Sequence, residues 1–298
     1  AFTILFTFWI TTYLAKRILL ADTDETGLNN SQTLAVMGAG LVGALACTFA
    51  DSFWFNAVES EVYAMSTLFV SIIVYLMMRW NEEADNPGHE RFLLLIAYLI
   101  GLSTGVHLLA ILTIFSIVFL VYLRKYKATA AGLMITTVIS LFVFLIIYPF
   151  IVKWIPALLA EHSPGLNDAH LHDINDSKLL FVIALSCVFG MVGLFIWSMK
   201  NKKQLVMLAS GSVVLILLGY TTYTQILIRS NANPPMNENS PKEFKDLASY
   251  LGREQYGSDA SWPRRVKTEE RFTRNYMSKD KNGEYIYGEW TAPVRERV

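Results

Sequence analysis

The stretch FLLLIAYLIGLSTGVHLLAILTIFSIVFLVYL, residues 92–123, is predominantly apolar and carries no Asp, Glu, Lys or Arg, yet it is too long for one simple crossing of a bilayer core, which takes about 20 helical residues. Whether it crosses once or twice decides the side on which every later segment lies. Gly101 and Gly105 interrupt it within GLSTGVH, so it reads as two helices joined by a tight turn, the first one short.

The other apolar runs, bracketed by charges, are 2–15, 33–50, 62–78, 128–152, 179–199 and 205–228. The positive-inside rule, which counts Lys and Arg in short loops, tests the hairpin. With two crossings in 92–123, one side receives Lys16 and Arg17, Arg79 and Arg91, RKYK at 124–127 and KNKK at 200–203. The opposite side receives 51–61, the GLSTGVH turn, the 153–178 loop and the C-terminal tail. A single crossing would scatter the basic clusters over both faces, so the hairpin is favoured. The expected fold is therefore an all-α polytopic membrane protein of about eight spans, the first incomplete, with a polar C-terminal tail. Residues 1–228 form the membrane domain and 229–298 a tail on the outer face.

Composition agrees with that class. Hydrophobic residues make up 53% and charged residues 17% of the chain, and the mean hydropathy is +0.38, too apolar for a surface that must be wetted all round. Net charge is zero, and nearly half of the Lys, Arg, Asp and Glu follow Arg229. A lipid bilayer is the expected surrounding and no nucleic-acid partner is expected. Cys47 and Cys187 lie in apolar runs with no ligand-spaced neighbour and read as buried free thiols. Ahead of the first run there is no charged segment of the kind that opens a signal peptide, and both ends read as those of a piece of something larger.

Trp54, Trp80, Trp154, Trp197 and Tyr220 fall at span ends, where an amphipathic ring suits the headgroup level; for Trp54 a site role stays open. From Ser230 the chain turns polar in SNANPPMNENSPKEF, where Pro234 and Pro235 favour an extended exit, and a short helical pattern follows over 244–251. No internal repeat, P-loop, Rossmann glycine pattern or HExxH occurs.

The residues that invite chemistry sit in FADSFWFNAVESEVYAMSTLF, 49–69, where Asp51, Glu59 and Glu61 stand among aromatics. A carboxylate at the bilayer centre costs roughly 2.5–3.5 kcal/mol, and less toward the interface. Asp51 at a span end is cheap. NAVESEVYAMSTLFVSIIVYLMM reads as one helix entering the membrane, on which residues two apart point about 200° from each other. Glu59 and Glu61 can face one site only if the helix starts near Glu61 and Glu59 lies in an extended approach. Either they solvate a helix N-terminus, or they orient a metal ion or a polar substrate. His107, after GLSTG, either bonds a neighbouring carbonyl or meets a phosphate. His162, His170 and His172 with Glu161, Asp168 and Asp173 offer metal donors, but a solvated loop is the simpler reading.

The words SFWFNAVESEVYAMSTLF, GLSTGVHLLAIL and GYTTYTQILIRSNANPPMNEN, followed by REQYG, resemble a family of polytopic membrane proteins of Gram-negative bacteria. This family, catalogued as a domain of unknown function, is related to the animal transmembrane protein O-mannosyltransferases and so to the GT-C glycosyltransferase superfamily. The resemblance implies a GT-C-like helical bundle in the bacterial inner membrane, with its tail in the periplasm. It implies transfer of a hexose, mannose first, from a polyprenyl-phosphate donor to a protein or glycan hydroxyl on the outer face, with a divalent metal in some members. Glu59-Ser60-Glu61 resembles the superfamily's second acidic motif and Gly101 to His107 its lipid-phosphate contact. Catalytic roles then fall to Glu59, Glu61 and Asp51, the donor phosphate to His107, and the substrate cleft to Trp54, Tyr63 and Asn56. The superfamily's principal base sits in a first outer loop that would precede Ala1, so the chain alone is expected to be inactive. The rival from another class is a scaffold or transporter component of the envelope; against a transporter stand the near absence of charge inside the spans and the lack of paired broken helices.

Overall fold

The computed structural model describes residues 1–21, 27–59, 62–154, 178–243, 246–247, 249–250, 265–267, 273–279, 281, 285–291 and 295–297. The chain divides into two units, Ala1–Leu251 and Gly252–Val298.

In the first unit the helices are α1 (Phe2–Leu19), α2 (Asn30–Thr48), the short α3 (Asp51–Val58), α4 (Tyr63–Glu83), α5 (Glu90–Thr104), α6 (Thr113–Lys125), α7 (Ala130–Leu145), α8 (Lys178–Lys200), α9 (Gln204–Tyr220) and α10 (Thr224–Asn231). A 3₁₀ segment, Leu108–Leu112, leads into α6, a π-helical segment, Ile146–Trp154, continues α7, and another 3₁₀ turn joins α9 to α10. Six of the described helical stretches are long and apolar enough to cross a membrane. The protein is thus an all-α polytopic membrane protein in this unit, and α5, 15 residues long, is the short first arm expected of 92–123. The first span, expected over 2–15, runs on to Leu19 through Lys16 and Arg17, and at 18 residues it is long enough to cross.

In lipid there is no hydrophobic drive between helices, so close approach depends on small residues and internal hydrogen bonds. The α5–α9 seam follows that rule. A side chain at Gly101 would run into the backbone carbonyl of Ile216, and one at Gly219 into the backbone of α5. Gly101 therefore belongs to helix α5, and the expectation that it forms part of the turn is corrected; the turn begins at Gly105. At the α1–α2 contact Gly40 faces Phe8 and Thr12, and Gly43 faces Thr11. The buried core joins Ile73 and Met77 of α4, Ile96 and Ile100 of α5, Ile111 and Ile114 before and in α6, Ile151 of the π segment, and Ile216 and Tyr220 of α9.

The basic end is tied by polar contacts. Arg79 pairs with Glu82 and Glu83 at 2.8 Å, Arg91 with Glu83 at 2.6 Å, and Arg124 with Asp85. Asn81 donates to the Tyr13 hydroxyl at 3.0 Å, bringing the end of α1 to the same place. Beneath this cluster Trp80 is fully buried, its indole N–H donating to His89 Nδ1 at 3.1 Å. Trp80 is a core residue and not a headgroup anchor, since the α4–α5 connection folds over it. Tyr220 departs from the anchor reading in the same way, being buried with its hydroxyl donating to the Val152 carbonyl at 2.8 Å. Trp54 and Trp197 are exposed as anchors should be; the side chain of Trp154 lies outside the described set. Cys47 and Cys187 are free, but neither is buried as expected: Cys47 is half-buried and Cys187 is exposed on α8.

The polar segment after α10 folds back. Asn237 donates its amide to the Ser230 carbonyl at 3.2 Å, and Asn231 donates to the Lys242 carbonyl at 3.0 Å. The described residues within 246–250 are helical and Leu247 is buried. In the second unit β1 (Arg265–Lys267) pairs antiparallel with β4 (Arg295–Arg297), and β2 (Thr273–Lys279) with β3 (Tyr285–Thr291). The sequence did not assign these strands.

Candidate functional site

The acids lie where a helix breaks. The single helix expected through NAVESEV is two: α3 ends at Val58, Glu59 is extended (φ −75°, ψ 148°), and α4 opens at Tyr63 after Val62. Glu59 thus occupies the extended approach that geometry required for it to cooperate with Glu61. Glu61 itself, with Ser60, lies outside the described residues. Since α4 has no acid in its first turn, Glu59 does not serve that helix's dipole. Asp51 stands in the first turn of α3, a favourable place for a negative charge.

Tyr63 and His107 meet. Their rings are 5.5 Å apart between centroids with planes at 53°, joining the start of α4 to the turn after α5. His107 has an extended backbone, its N–H donates to the Ser103 carbonyl at 2.8 Å, and its Nδ1 accepts from the Leu109 N–H at 3.1 Å. That acceptor role caps the 3₁₀ segment and puts the neutral ring's proton on Nε2. The expected carbonyl partner for the His107 ring is replaced by a backbone donor. Among the described residues no hydrogen bond, ion pair or ring contact joins Asp51, Trp54 or Asn56 to this pair. Trp54 is 58% exposed and Asn56 half-buried.

A pocket of ≈ 420 Å³ is lined by Met65 and Phe69 of α4, Leu102, Gly105 and Val106 at the end of α5, and Thr222, Gln225, Ile226 and Arg229 around α10; neither Tyr63 nor His107 is in its lining. Gly105 is needed there, because a Cβ would stand 2.7 Å from the Thr222 hydroxyl. The walls are mostly apolar and Arg229 is the charged residue among them. Reasoning from sequence passed over Arg229. The available signal was a cation closing a span at the end that the positive-inside pattern leaves poor in Lys and Arg. Among the described residues no three His, Cys, Asp or Glu side chains gather as a metal site. The loop with His162, His170 and His172, and Glu161, Asp168 and Asp173, lies outside them.

Residues 1–130 match the family model described as protein O-mannosyl-transferase TMEM260 N-terminal domain. The matched segment runs from α1 past the end of α6 and includes Glu59, Glu61, Tyr63 and His107, whereas Arg229 lies beyond it. The N-terminal part of the chain is thus similar to an O-mannosyl-transferase domain, in line with the words SFWFNAVESEVYAMSTLF and GLSTGVHLLAIL that lie within it. No curated protein and no solved structure matches the chain.

Proposed function

We propose that the protein is a membrane glycosyltransferase of the GT-C type, which moves a hexose, mannose first, from a polyprenyl-phosphate donor to a hydroxyl of a protein or glycan. The observation that carries this reading is the match of residues 1–130 to an O-mannosyl-transferase domain. The geometry supports it, since the helix break at Glu59, the Tyr63–His107 pair and the pocket all draw on the start of α4 and the turn after α5.

In the proposed reaction the acceptor oxygen attacks the anomeric carbon, the bond from that carbon to the phosphate oxygen breaks, and the lipid phosphate leaves with the electron pair. A carboxylate takes the acceptor proton. Glu59 and Glu61 position the acceptor hydroxyl, with Asp51 at the start of α3. His107 donates from Nε2 toward the leaving phosphate, where a donor stabilises the charge that develops. Tyr63, with Trp54 and Asn56, forms the wall against which the sugar rests. The membrane is the bacterial inner membrane and the acid-bearing end faces the periplasm.

The test is incubation of the full-length protein in vesicles with radiolabelled polyprenyl-phosphate hexoses and an envelope protein and glycan fraction. Label should move to an acceptor from one donor in preference to the rest. Absence of transfer from every donor would leave the scaffold reading in possession.

A further inference from the structure

We infer that the face of the β1–β4 ladder carrying Arg265, Lys267, Arg295 and Arg297 docks on an anionic bilayer surface. The inference does not depend on the transferase reading, which assigns the second unit no role.

The pattern begins in the sequence. β1 reads Arg-Val-Lys and β4 reads Arg-Glu-Arg, with a cation at every other position, and successive residues of a strand belong to opposite faces. The antiparallel register pairs Arg265 with Arg297, Val266 with Glu296 and Lys267 with Arg295. Paired residues share a face, so the four cations fall on one face, and Val266 and Glu296 on the other. A slip of one residue would bring Arg265 opposite Glu296; the observed register makes two like-charge pairs instead. Like charges directly opposite destabilise a ladder, and a two-stranded ladder is marginal on its own. A partner that supplies negative charge along this face removes that cost.

Net charge does not mark the unit for such a partner, since Gly252–Val298 holds ten Lys and Arg against eight Asp and Glu. The register does, by gathering four cations at positions about 5 Å apart across the ladder and about 7 Å apart along it. The polyanion that this chain always accompanies is a bilayer, because its first unit holds the membrane-crossing helices. The ladder is thereby tethered to a lipid surface, and tethering raises the effective concentration of that surface over any soluble polyanion. Lys and Arg clusters held near a membrane are what anionic headgroups attract. The β2–β3 ladder agrees, for its register sets Arg274 opposite Trp290 and Lys279 opposite Tyr285, cations paired with the aromatic types favoured at headgroup level.

The experiment is hydrogen–deuterium exchange, read by mass spectrometry on peptides covering β1 and β4. The full-length protein is held in nanodiscs of phosphatidylcholine, alone or with phosphatidylglycerol. Exchange of both strands should be slower in the anionic discs, and the difference should vanish in about 1 M salt, where the Debye length is about 3 Å. Arg265→Gln and Arg297→Gln should each slow exchange in neutral discs, because a like-charge pair is relieved. Each should also cut the protection gained in anionic discs about fivefold, the share of one cation at an anionic surface. A merely structural role of either arginine would not produce effects of opposite sign. The charge-conserving exchange of Arg265→Val with Val266→Arg moves one cation to the other face and should lose as much of the gain as Arg265→Gln. Equal wild-type exchange in neutral and anionic discs overturns the proposal. So does a full gain in the charge-conserving variant, which assigns the effect to net charge, and so does faster exchange of both Gln variants in neutral discs, which makes the arginines part of what holds the ladder. Added polyglutamate that protects the strands where anionic discs do not overturns the bilayer and gives the face to an acidic polypeptide.

Discussion

Tyr63 packs its ring against that of His107, 5.5 Å between centroids, and so fastens the first residue of α4 to the turn that follows α5. The contact is an edge-tilted aromatic pair of the kind worth about 0.5–1.5 kcal/mol beyond its buried area, and it holds the His107 ring while Nδ1 is engaged by the Leu109 N–H. His107→Ala removes both the ring and the proposed Nε2 donor. The expected outcome is a raised KM for the lipid-linked donor in a vesicle transfer assay. An unaltered donor KM takes His107 out of the site.

Tyr63→Phe keeps the ring contact and removes the hydroxyl, whereas Tyr63→Ala removes both. If Tyr63 works by holding His107, Phe should retain most of the activity and Ala should mimic His107→Ala. A loss of the same size in both variants would instead assign the work to the hydroxyl. Parallel donor titrations of the two variants decide between them.

Glu61→Gln keeps size and removes the charge. Glu59 is extended after α3 and α4 opens only at Tyr63, so Glu59 does not lie on the continuous helix that would set residues two apart about 200° from each other. Sugar transfer should be abolished in the full-length protein while membrane insertion, read by protease protection of the loops, stays as in the wild type. Transfer at the wild-type rate would sink the assignment of Glu61.

The places where the sequence misled share a cause. Charges bracket each span, so the long apolar helices of the first unit and the 92–123 hairpin could be located from the residues alone. A glycine that packs and a glycine that turns look alike in sequence, and Gly101 proved to be the former because α9 lies against it. Trp80 and Tyr220 sit at span ends like any headgroup anchor, and only the chain folded over them shows that they are core. The break between α3 and α4 carries no Gly or Pro between Val58 and Tyr63, so no local breaker announced it. Arg229 was passed over because the pocket it lines is completed by Met65, Phe69 and Val106, distant in sequence.

The Tyr220 hydroxyl, bonded to the Val152 carbonyl at 2.8 Å, secures the π-helical segment to α9. A π-helix leaves the regular hydrogen-bond ladder, and Pro149 removes one further donor from this one. Tyr220→Phe should therefore cost about 1–3 kcal/mol, the range for leaving a buried acceptor unsatisfied. The loss would appear as a lower melting temperature in detergent. If melting is unchanged, the Val152 carbonyl has another partner and the segment is held by packing alone.

The most demanding test of the bundle is the α5–α9 seam. Gly101→Val places branched atoms against the backbone carbonyl of Ile216, which cannot rotate away as a side chain could. Overpacking of this kind costs about 1–3 kcal/mol where a core can shift, and here the shift must separate two helices that also carry Leu102, Gly105 and the approach to the pocket. Melting should reflect a loss of that size. Gly38→Ala is the control, since nothing stands within 4 Å of an added Cβ there, and within helix α2 it should be neutral to stabilising, by up to about 1 kcal/mol. If Gly101→Val melts like Gly38→Ala, close backbone approach does not hold α5 against α9, and the pocket's shape must be set by other contacts.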